Sequence, residues 1–151
     1  MSDDLRKYRE ELLKKKSEAD EASRQSEQEK ARDIQERTRR VQQMAQRFLK
    51  HARDLREESG TAVHMFLHHE DLGFFLEIGK STYGKRGVRA TAGPKGQWQV
   101  AIQQLRTAAE QQLLVETDEQ LQSQVDNLIR PLFKEAMEAL LVQGSESAGP
   151  H

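Results

Sequence analysis

The chain has 151 residues, enough for one domain of ordinary size with an extension. Hydrophobic residues make up 35%, charged residues 32% and aromatics 5%, so the chain is not core-forming throughout. The absence of Cys excludes disulfides, thiolate metal sites, iron–sulfur clusters and Cys nucleophiles, and it fits a reducing compartment.

The net charge of −1 conceals an asymmetry. Residues 1–59 carry 16 basic and 14 acidic groups, residues 60–104 carry 5 and 3, and residues 105–151 carry 3 and 8. Within this, residues 37–56 hold seven basic groups against the single acid Asp54, and residues 78–99 hold five and no acid. A basic middle and an acidic end imply either an anionic partner or two regions that face each other in an assembly. The acidic start, Met1-Ser2-Asp3-Asp4, lacks the basic-then-apolar order of a secretory signal. No run approaches the ~18 apolar residues of a membrane span. The expected setting is the cytoplasm, with no membrane partner.

Residues 3–59 contain neither Gly nor Pro and are rich in Glu, Lys, Arg, Gln, Ala and Leu. They predict one long helix, about 85 Å if continuous, closed by Gly60 at the position after the cap. Ala31, Ile34, Thr38, Val41, Ala45, Phe48, Ala52 and Leu55 are spaced alternately by three and four residues. That heptad seam over 31–55 predicts a coiled coil, with Ile34, Val41, Phe48 and Leu55 as its interface. Leu5, Tyr8, Leu12, Ala19 and Ala22 make a second seam, out of phase with the first and interrupted by Lys15. The stretch 14–30 has only Ala19 and Ala22 as apolar groups, so it is either a solvated helix held by pairs such as Glu10–Lys14 or a frayed tether.

Past Gly60 the period becomes two. Alternation over Val63–His68, Phe74–Ile78, Val88–Ala92 and Trp98–Ile102 predicts short antiparallel strands with one wet face each, the first of them also readable as a short helix. Glu70–Gly73, the loop Gly79–Gly87 and Gly93–Gly96 supply turn chemistry. Residues 104–116 are ambiguous: QLRTAAEQ has helical propensity, and Gln112–Glu116 reads as a last strand. Thr117 and Gln120 have the form of a capping box, and a broad apolar stripe from Leu121 to Leu141 predicts a helix that covers the sheet, kinked or broken at Pro131. The expected architecture is therefore α+β: a long helix over 1–59, a small domain over 60–143 whose antiparallel sheet is covered by the C-terminal helix, and a disordered tail over 144–151.

Few residues point to chemistry. His64, His68 and His69 beside Glu70 and Asp71 are the one cluster of metal-ligand types, but no Cys or HExxH pattern supports them, and neither a metal nor any other cofactor is expected. Gly79-Lys80-Ser81 resembles the end of a phosphate loop, yet Phe74 stands where the first glycine of that motif belongs. No Ser sits in a nucleophile elbow, and no catalytic residue is assigned. Lys80, Lys85, Arg86 and Arg89, with Tyr83 among them and Trp98 nearby, form a candidate anion-binding loop; the alternatives are solvated surface for the loop and core for Trp98. The expected function is a non-enzymatic, self-associating scaffold or adaptor whose long helix joins copies or docks a protein partner. The alternative is a nucleic-acid-binding accessory protein that uses the basic middle.

Overall fold

The computed structural model describes residues 2–81, 84–104 and 111–142. Helix α1 spans Ser2–Ser59. Strands β1 (Met65–Glu70), β2 (Gly73–Ile78), β3 (Gly87–Ala92), β4 (Trp98–Gln103) and β5 (Gln111–Val115) follow, then α2 (Asp118–Ser123) and α3 (Val125–Leu141). The five strands form one antiparallel meander in sequence order, β1-β2-β3-β4-β5. The class is α+β, with a long N-terminal helix, an antiparallel sheet and a C-terminal helix, as the periodicities predict.

The chain divides into two compact units, 1–36 and 37–151. In the first, every residue from 3 to 32 is exposed. In the second, one face of the sheet carries the core. Phe74, Leu76 and Ile78 of β2, Val88, Ala90 and Ala92 of β3, Trp98 and Val100 of β4 and Val115 of β5 all lie in one buried cluster. The period of two puts these residues on a common face. Leu121 of α2 and Val125, Leu128, Ile129, Leu132, Phe133 and Ala136 of α3 close over it.

Helix α1 supplies the rest of the cover, which corrects two expectations. Val41, Phe48 and Leu55, three of the four residues assigned to a coiled-coil interface, are buried within their own domain. Phe48 meets Phe74 edge-on with ring centroids 5.1 Å apart. Met44 is buried beside the seam and Leu49 packs against the core, so the stripe is broader than the two positions per heptad of a coiled coil. It has the width of a helix laid on a sheet. The domain accordingly takes in residues 37–59 and does not begin at 60. Ile34, 54% exposed, falls outside this core.

The boundaries follow local chemistry. Gly60 ends α1 with φ +64°, its N–H donating to the Arg56 and Glu57 carbonyls. Thr117 caps α2 by accepting from the Gln120 N–H at 3.1 Å, and the Gln120 side chain accepts from the Glu116 N–H at 3.1 Å. The helical break falls at Gln124, not at Pro131, and α3 continues through the proline. The first strand begins two residues later than its alternation suggests and includes His69 and Glu70. The QLRTAAEQ segment lies largely outside the described residues, and the expected tail over 144–151 lies wholly outside them.

Candidate interaction surfaces

The basic loop is the first candidate, and its cations have separate environments. Lys80 and Lys85 are exposed. Arg86 is 3% exposed: its Nη1 donates to the Ile78 carbonyl at 3.4 Å, and its Nε lies 3.4 Å from Glu135 Oε1 on α3. A guanidinium enclosed in that way holds the end of β3 to the covering helix and is not available to a phosphate. Arg89 lies on the opposite face of the sheet, where it donates twice to Glu70, at 2.7 and 3.0 Å, and lies over the Phe75 ring at 5.0 Å. The four cations grouped in sequence therefore do not form one anion-binding surface. Alternation decides this, because Arg86 and Arg89 are an odd number of residues apart on an extended segment. Tyr83 lies outside the described residues, and Trp98 is fully buried as a core residue.

The histidine cluster is the second candidate. His64 and His68 share a face, as alternation requires, and both reach Glu77 of β2, with Nε2 3.2 and 3.3 Å from its two carboxylate oxygens. His69 points the other way along the strand and is exposed. Among the described residues, no group of three or more His, Asp or Glu is placed to hold a metal.

The sheet face away from the helices is the third. Phe66 on β1 (53% exposed) and Leu114 on β5 (61% exposed) stand near its two edges. Between them Phe66, His68 and Phe75 form a row of rings, 4.6 and 5.8 Å between successive centroids, and Arg89 covers the last. A shallow groove of about 430 Å³ runs over Arg89, Thr91, Gln99, Ala101, Gln112 and Leu114. Its one charged lining residue, Arg89, is already paired with Glu70 of β1.

Arg40 was not singled out by sequence reasoning, yet it is buried at the centre of a polar network. It is 7% exposed and donates to both Asp118 oxygens at 2.9–3.3 Å and to the Gly93 and Gln97 carbonyls at 3.2 and 3.4 Å. Its guanidinium lies 5.2 Å from the Trp98 ring centroid, and the Trp98 indole N–H donates to Asp118 at 2.7 Å. Burial pushes the Asp118 carboxyl up, but the bonds from Arg40 and Trp98, with the Arg40 charge, outweigh it and hold the group below the usual carboxylate range. The hydrogen bonds of this network end within the domain, so it locks α1, the β3–β4 turn and α2 together.

The first unit is the fourth candidate. Leu5 (73% exposed), Tyr8, Leu12 and Leu13 form an apolar stripe that nothing in the unit buries. Glu21 and Arg24 form an ion pair one turn apart. Among the described residues, no helix is long and apolar enough to cross a membrane. No family model, curated protein or solved structure matches the chain.

Proposed function

We propose that the protein is a non-enzymatic, cytoplasmic scaffold or adaptor that associates with itself through the first unit of α1, while the α+β domain offers a second surface. The observation that carries this reading is the stripe Leu5, Tyr8 and Leu12, spaced by three and four residues and exposed on a helix with no buried face over residues 3–32. An isolated helix draws little stability from propensity alone, and a partner helix would supply the missing burial. The seam proposed for pairing thus shifts to residues 5–22, because the lower part of the 31–55 seam is occupied by the sheet.

The nucleic-acid alternative has weaker support. It needs the loop cations to act together, and Arg86 and Arg89 are engaged with Glu135 and Glu70. Sedimentation of the full chain tests the leading reading. The wild type should exceed its monomer mass of 17.4 kDa at 100 µM, and the pair Leu5→Glu, Leu12→Glu should return it to that mass with its thermal transition unchanged. A double variant that keeps the wild-type mass above monomer would place association elsewhere and overturn the reading.

A further inference from the structure

We infer that the first unit pairs with a second copy of this chain as a parallel, in-register, two-stranded coiled coil over residues 4–25. The inference rests on the self-association reading and adds its partner, direction and register. With Leu5, Leu12 and Ala19 at heptad position a and Tyr8 and Ala22 at d, the positions flanking the seam are fixed. Position g carries Asp4, Glu11 and Glu18; position e carries Arg9, Lys16 and, one repeat beyond Ser23, Lys30. One flank is acidic and the other basic.

That segregation selects an orientation. In a parallel pair each g residue faces the e residue five positions on in the partner, which sets Asp4 against Arg9 and Glu11 against Lys16 on both sides of the dimer. In an antiparallel pair g faces g and e faces e, so every register sets acid against acid and base against base. The same complementarity identifies the occupant, because the acidic flank of this helix fits the basic flank of an identical one. Lys15 at d keeps the association reversible and disfavours higher orders with a fully enclosed core, since its stem can lie along the seam while its ammonium reaches out to the g flank. The seam ends where Ser26 and Glu29 take the next a and d positions.

The test uses the full chain with charge-reversal pairs. Arg9→Glu with Lys16→Glu should weaken self-association roughly tenfold or more at low salt. Asp4→Lys with Glu11→Lys should do the same. An equimolar mixture of the two variants should recover the mass of the wild-type dimer. Arg6→Glu with Lys14→Glu, an equal charge change away from the flanks, should leave it intact. The chain has no Cys, so single spin labels at Glu10→Cys and Arg24→Cys report direction. These sites lie about 21 Å apart along the axis, so no antiparallel register brings both label pairs level, whereas the parallel pair does. A dimer lost on Leu5→Glu, Leu12→Glu but indifferent to the flank reversals, or with only one label pair close, would overturn this inference and leave the self-association reading standing. A wild type that is monomeric at 100 µM would overturn both.

Discussion

At the scale of single residues, Arg40 and Asp118 show how a buried charge is made tolerable. The guanidinium has two carboxylate oxygens, two carbonyls and an aromatic face, so its desolvation is offset by charge-assisted bonds. Asp118→Asn should cost about 2 kcal/mol at neutral pH, because Arg40 would keep its burial and lose its counter-charge. The folded-state depression of Asp118 also has a sign. Its contribution is present above the unfolded carboxylate value of about 4 and is lost as pH falls through the lower folded value. Asp126 is lowered too, by hydrogen bonds from Arg130 and then His51, and adds in the same direction from a more exposed site. Thermal melts between pH 7 and pH 2 should therefore show stability falling in acid for the wild type, and a flatter acid limb for Asp118→Asn. An identical acid limb in the two proteins would contradict this account.

At the scale of elements, α1 is one helix in backbone, but its apolar residues are buried only from Val41 on. Phe48→Ala removes a fully buried ring and should cost about 3–5 kcal/mol by denaturant unfolding. Ile34→Ala, two heptads up the same predicted seam, should stay within about 0.5 kcal/mol. Equal effects at the two positions would mean that the seam acts as one surface. In the sheet, Gly87 is required by close approach: a Cβ there would run into the Leu76 carbonyl and come within 2.7 Å of the Phe75 ring. Gly87→Ala should therefore disturb the β2–β3 pairing and lower stability by about 2 kcal/mol or more, although alanine suits a strand no worse than glycine does. Hydrogen exchange should show the loss first at Ile78, whose N–H donates to the Arg86 carbonyl beside Gly87.

For the whole molecule, the buried cluster begins at Val41 and ends at Ala136. No residue from 3 to 32 contributes to it, so a chain that starts at Lys30 should keep a cooperative transition, with a midpoint within a few degrees of the full chain's. An insoluble or molten product would show that the first unit is needed for the core. The same truncation should abolish the self-association proposed for residues 4–25.

Much of this architecture is written in local sequence. The ban on Gly and Pro over 3–59, the change of period at Gly60, the turn clusters and the Thr117–Gln120 cap are short-range signals, and each element they predict is present. Local signals could not say which partner a seam meets. Val41, Phe48 and Leu55 repeat by three and four whether they face another helix or a sheet; the decision came from Phe74, Trp98 and Val100, which lie far along the chain and present an apolar face of matching width. The basic loop shows the same limit. Proximity in sequence put Arg86 and Arg89 together, while the pleat sends them to opposite faces and long-range acids, Glu135 and Glu70, receive them. Arg40 carried no local mark at all, because its partners Gly93, Gln97, Trp98 and Asp118 are brought to it only by the meander. The pattern of the 4–25 segment is legible without the tertiary structure, since a helix with no buried face keeps its charges and leucines where the heptad alone puts them.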